Sequence, residues 1–142
     1  MESPVSIAAL KAFAADQARK EGAFRAAPAV VEKSCEGKRV AVVGGGPAGL
    51  TAAYQLARRG CSVAVYDQMP AMGGMLRYGI PEYRLPKAVL DAEIDLISSM
   101  GVKLINNFKI GRDATLADIK RDVDALVVAN GAWKSSPMRI AG

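Results

Sequence analysis

Short apolar runs alternate with helical stripes along most of this chain. Arg39-Val40-Ala41-Val42-Val43 is a compact β-branched run, and Ser62-Val63-Ala64-Val65-Tyr66 is a second. The pattern predicts strands over 38–43 and 62–66, joined by a helix over 47–59 that stops at Gly60. A further helix over 87–100 carries Val89, Leu90, Ile94, Leu96 and Ile97 and ends at Gly101. A third strand follows at 102–105, with Ile110 as its outer limit, and a fourth at 125–129. Thr115 and Asp118 have capping-box spacing and predict a helix start between those strands. Glycines and prolines from Met69 to Pro86 predict an irregular excursion.

Strand–helix alternation predicts an α/β fold, with a parallel sheet ordered three-two-one-four. The amino-terminal stretch reads differently. Residues 4–21 predict a helix with Pro4 and Ser6 at its start and an apolar stripe of Ile7, Leu10, Phe13 and Ala14. Residues 22–37 have no period and predict a linker or an arm lying on a neighbour. The expected division is an arm over 1–36 and a nucleotide-binding domain over 37–142.

Composition narrows the class. Of 142 residues, 51% are hydrophobic, which suits a domain with a real core. The net charge of +5 is spread along the chain rather than blocked, so nucleic-acid binding is not expected. No apolar run approaches the ~18 residues of a membrane span, and no signal-peptide pattern opens the chain. Two cysteines without a C-x-x-C pair exclude an iron–sulfur cluster or redox dithiol encoded in this stretch, and suit the cytoplasm. Cys61 is expected to act as a small buried hydrophobe. Histidine is absent, which removes the commonest general base and zinc ligand, and no metal site is expected.

The chemistry lies where the first strand empties into a glycine loop. Gly44, Gly46 and Gly49 fit G-x-G-x-x-G, and Ala53 follows on the helix. Gly44 permits the tight turn, Gly46 leaves the backbone open to a pyrophosphate, and Gly49 lets helix and sheet pack closely. The helix start supplies free N–H groups and partial positive charge. Asp67, at the carboxyl end of the second strand, is placed to accept hydrogen bonds from ribose hydroxyls. A glycine pair, Gly73-Gly74, comes next and narrows a dinucleotide site toward FAD; Tyr78 and Ile80 beyond it offer flat or apolar surface.

The segment from Gly73 to Pro86, GGMLRYGIPEYRLP, closely resembles the FAD domain of the glutamate synthase small-subunit family, which includes a related domain of dihydropyrimidine dehydrogenase. The resemblance runs from about Val5 to Gly142. It implies a flavoprotein with two dinucleotide domains, FAD in one and NAD(P)H docking through the other. It also implies electron transfer to iron–sulfur centres or a partner subunit. Matching positions imply FAD contacts at Gly46, Pro47, Ala48, Gly49 and Leu50, at Asp67, at Gly73, Gly74 and Met75, and at Arg84. Ile110 would meet adenine through its backbone. The family's A-T-G-A turn corresponds to Ala129-Asn130-Gly131-Ala132.

The sequence departs from the family pattern in three ways. Asp67 stands for the usual Glu, and Asn130 for Thr. The relatives' cysteine-rich iron–sulfur region, second glycine motif and late Gly-Asp segment have no counterpart here. The expectation is a fragment that is a poor enzyme by itself. Within the family the flavin carries the redox chemistry, so no catalytic side chain is named. Two rival readings remain: a non-catalytic module that binds nucleotide or docks a partner, and an NAD-binding domain with a coincidental glycine pair.

Overall fold

A computed structural model describes residues 4–22 and 33–133. In chain order the elements are α1 (Ile7–Lys20), β1 (Arg39–Val43), α2 (Pro47–Arg58), β2 (Ser62–Tyr66), α3 (Met75–Tyr78), α4 (Lys87–Ser99), β3 (Lys103–Ile105), α5 (Leu116–Arg121) and β4 (Ala125–Val128). The strands form one parallel sheet in the order β3-β2-β1-β4, as the alternation predicts. Register is tight at the centre: Val40 lies opposite Val63 on one side and Ala125 on the other.

The central position of β1 explains its composition. A strand covered on both faces needs a continuous apolar run, and Val40, Ala41, Val42 and Val43 are all buried. Leu50, Ala53 and Ala57 of α2 and Leu90 and Ile94 of α4 close the core against Val40, Val42, Val63 and Val65. Cys61 is part of this core. Its thiol is pushed up to about 11, first by burial and then by the neighbouring Cys35 thiol, so it stays protonated at neutral pH.

Two stretches differ from the sequence reading. The chain does not continue as strand from Ile105 to Ile110. Asn107 takes a left-handed backbone (φ 58°) and turns the chain around the end of β2. There the Phe108 N–H donates to Asp67 O at 2.9 Å and the Asn107 N–H to Met69 O at 3.0 Å. Ile110 instead makes an isolated bridge to Ala114. Within the glycine-rich excursion, Met75–Tyr78 forms the short helix α3, which is too brief to leave a period. Contacts with the sheet unit already begin in the stretch read as linker, where the Cys35 N–H donates to Arg59 O at 3.1 Å.

The amino-terminal helix forms over Ile7–Lys20 with no buried residue. Its stripe is exposed, Ile7 and Phe13 each at 68%. The middle of the predicted linker, residues 23–32, lies outside the described residues, as do residues 134–142. Among the described residues no helix is long and apolar enough to cross a membrane.

Candidate dinucleotide site

The carboxyl ends of a parallel sheet point their loops to one edge, and the crossover between neighbouring strands leaves a crevice there. In this chain β2 and β4 flank β1, so the crevice opens above Gly44. The Gly44 N–H donates to Tyr66 O at 2.8 Å, which carries the sheet pattern into the loop. Gly44 has φ 111°, and a Cβ there would overlap the Ala129 carbonyl oxygen at the end of β4. A glycine is therefore demanded by backbone on two counts.

The other loop glycines serve different ends. A Cβ on Gly49 would overlap the Gly44 carbonyl oxygen, so this glycine seats α2 against the loop. A Cβ on Gly45 would run into the Met72 sulfur. Gly46 is the exception: a Cβ there would meet only Gly74 Cα, at 3.8 Å. The space beside Gly46 is open. The Leu50 N–H makes the first bond of α2, to Gly46 O at 2.9 Å. Pro47 has no N–H, so the donors of Ala48 and Gly49 precede that bond and stand free at the helix start.

The second glycine motif closes onto the first. The Gly73 N–H donates to Gly45 O at 2.7 Å. Gly74 (φ 52°) comes so near that a Cβ would lie 2.7 Å from Gly46 Cα. The pair thus packs loop against loop.

Asp67 is 8% exposed and accepts two backbone donors. Its Oδ2 takes the Gly45 N–H at 2.6 Å, and its Oδ1 takes the Met69 N–H at 2.8 Å. The carboxylate therefore fastens the glycine loop to the turn after β2. Each oxygen keeps a further lone pair.

Two adjoining cavities follow from this arrangement. The larger, about 620 Å³, is lined by Gly44, Asp67 and Ile110 together with Tyr66, Gln68, Phe108, Lys109, Leu116, Val128 and Trp133. The Tyr66 and Phe108 rings pack at 5.0 Å in this wall. The smaller, about 110 Å³, is lined by Gly44, Gly46, Pro47, Ala48, Asp67, Gly74, Met75 and Ala129. Asn130, Gly131, Ala132 and Trp133 border both.

Of the residues singled out from sequence, Gly44, Gly46, Pro47, Ala48, Asp67, Gly74, Met75, Ile110, Ala129 and Gly131 line this groove. Gly49, Leu50 and Gly73 are buried behind it. Arg84 is exposed and does not line either cavity. Sequence reading missed Phe108, Lys109, Leu116 and Trp133, which come from the loop after β3, the start of α5 and the segment after β4. It also missed Gly45, which occupies a variable position of the motif.

Among the described residues no group of three or more His, Cys, Asp or Glu side chains is placed to hold a metal ion. Open backbone at Gly46, free N–H groups at the α2 start and a larger adjoining cavity fit a pyrophosphate-linked dinucleotide.

Fold and groove together define a Rossmann-like dinucleotide-binding unit. Residues 42–101 match the NAD(P)-binding Rossmann-like domain family. The chain is similar in sequence to curated oxidoreductase subunits, a glutamate synthase small chain among them. It is 39% identical over 160 residues to the NADP(+)-dependent formate dehydrogenase subunit beta of Moorella thermoacetica, a match covering 100% of this chain and 23% of that protein. It is 38% identical over 139 residues to the glutamate synthase [NADPH] small chain of Mycobacterium tuberculosis, covering 96% of this chain and 28% of that one. The chain thus spans about a quarter of these relatives. Among solved structures, Mycobacterium tuberculosis FprA in complex with NADPH superposes with a TM-score of 0.66 at 19% identity, over 74% of this chain and 25% of that one. At that identity the likeness shows the fold alone.

Proposed function

We propose that residues 37–142 are the FAD-binding portion of an NAD(P)H-dependent oxidoreductase of the glutamate synthase small-chain type, with residues 1–36 as a bridging arm. The observation that carries this reading is the open space at Gly46. In a loop where Gly44, Gly45 and Gly49 are filled by neighbouring atoms, Gly46 alone faces room, beside the donors of Ala48 and Gly49. Phosphate would lie there. The ribose would use the remaining lone pairs of Asp67, and adenine would enter the larger cavity toward the Ile110 backbone. Ala129 and Gly131 would line the opposite side, with Gly74 and Met75 leading to the flavin end.

Bound FAD supplies a centre that accepts hydride from reduced nicotinamide and passes electrons onward. The residues of this chain bind and orient it. In the whole protein NAD(P)H would dock through a second domain, and iron–sulfur centres or a larger catalytic subunit would take the electrons. Arg84 would reach the cofactor in that assembly. The setting proposed is the cytoplasm, with neither membrane insertion nor nucleic acid involved.

The matching family is described by NAD(P) binding, which favours a second reading: NAD(P)H in the same groove. Equilibrium dialysis of the purified chain against FAD, with NADPH as competitor, separates the two. Saturable FAD retention that NADPH does not displace is expected. Gly46→Val fills the open space and should weaken FAD by at least about tenfold. Wild-type affinity in that variant would refute the placement, and displacement of FAD by NADPH would favour the second reading.

A further inference from the structure

Lys87 is the first residue of α4, where the helix dipole disfavours a cation, and no acidic residue in the first turn offsets it. Its placement is explained by what the ammonium holds. Nζ donates to three carbonyl oxygens of the excursion before it: Leu76 O at 3.0 Å, Ile80 O at 2.5 Å and Leu85 O at 3.5 Å. An ammonium has three N–H donors, so its capacity is used in full. The Lys87 backbone N–H also donates to the Glu82 carboxylate at 3.0 Å. One residue thus closes the chain from Leu76 to Leu85 upon itself.

This clasp joins the hydrophobic core to the cofactor groove. Behind Lys87, α4 is seated by buried Leu90 and Ile94. Ahead of it, Leu76 directly follows Met75, and Gly74 and Met75 wall the smaller cavity. Arg77 braces the same loop, donating from Nε to Met72 O at 2.5 Å and pairing with Asp91 on α4. The larger cavity draws its walls from other segments, around Tyr66, Phe108 and Val128.

We infer that Lys87 is a positioning residue for the cofactor: its ammonium fixes the loop that forms the flavin-side wall and leaves the adenosine-side cavity untouched. The inference rests on the flavin reading above. Charge-assisted bonds to carbonyls are worth more than neutral ones, so losing three of them should loosen this wall markedly.

The test compares wild type, Lys87→Met and Lys87→Arg for binding of FAD and of AMP, which lacks the flavin and so does not use the wall at Gly74 and Met75. Trp133 is the chain's one tryptophan and borders both cavities, so its fluorescence reports either ligand. Thermal unfolding is followed in parallel. Lys87→Met should lose about tenfold in FAD affinity, keep its AMP affinity and unfold cooperatively. Lys87→Arg, which retains charge and donors, should recover most of the FAD affinity. The proposal is overturned if Lys87→Met binds FAD like wild type, or if it loses AMP in equal measure. Failure of Lys87→Arg to rescue, or loss of cooperative unfolding in Lys87→Met, also overturns it. Wild type failing to bind FAD would instead sink the flavin reading, a result distinct from any of these.

Discussion

Gly46 and Gly49 belong to one motif and answer to different forces. Gly49 is held by packing, since any side chain there would collide with the Gly44 carbonyl. Gly46 has extended backbone (φ −79°, ψ −175°) that any residue adopts, and ordinary contact distance around it. Gly49→Ala should therefore destabilise the fold by about 3 kcal/mol, as overpacking does, whereas Gly46→Ala should leave the thermal midpoint unchanged. Equal midpoints for the two variants would contradict this division. The motif's spacing made both positions legible in the sequence. The sequence reading also separated them, Gly46 as open backbone and Gly49 as close packing; what it left out is that Gly74, from elsewhere in the chain, is the neighbour of Gly46. Gly45 was hidden for the same cause: its neighbour is Met72, brought close by the excursion.

Asp67 was legible as a strand-end acid, yet its structural task was not. Both carboxylate oxygens accept backbone N–H groups, from Gly45 and Met69. An asparagine has one oxygen, and its amide nitrogen would face a donor. Asp67→Asn should cost about 1–3 kcal/mol in urea denaturation even without ligand. An unchanged stability would mean the carboxylate is reserved for ribose alone.

At the scale of elements, local signals held where they were self-contained. The helix start read from Thr115 and Asp118 is a complete capping box. The Thr115 N–H donates to Asp118 Oδ2 at 2.9 Å, and the Asp118 N–H to Thr115 Oγ1 at 3.1 Å. The Thr115 hydroxyl, followed by its backbone N–H and by Arg121, holds the Asp118 carboxyl below its ordinary value. A lowered carboxyl stabilises the fold above its unfolded value, and that contribution disappears as pH falls through the folded one. Asp118→Asn should thus be less stable than wild type by a constant margin above about pH 4, and the two should converge in stronger acid. A margin independent of pH in a denaturation series would contradict the assignment. Where an element's course depends on distant partners, the local signal failed. Ile110 extends the apolar run of β3 on paper, but Asn107 turns the chain so that Asn107 and Phe108 can bond Met69 and Asp67. The four residues of α3 are shorter than any period that could reveal them.

For the whole molecule, the order β3-β2-β1-β4 followed from alternating elements and the handedness of parallel crossovers. The groove's chemistry was legible for the same reason, since that order puts the glycine loop at the crevice. Its far wall was not, because Phe108, Leu116 and Trp133 meet only after the sheet has formed. The amino-terminal helix stands apart from these dependencies. No residue of α1 is buried, so deleting residues 1–24 should leave a cooperative thermal transition in the remainder. Loss of that transition would make the helix part of the core.

The central claim is that one groove, built by two glycine motifs, takes FAD with its pyrophosphate at the start of α2. Amide chemical shifts of the labelled chain during titration with FAD test it most directly. The account predicts saturable shifts at Gly44 to Gly46, Ala48 to Leu50, Asp67, Gly74, Met75, Ile110 and Gly131, with the amides of α1 and the carboxyl-terminal half of α4 unmoved. Absence of saturable shifts at Gly46, Ala48 and Gly49, or shifts centred on a different face of the sheet, would contradict it.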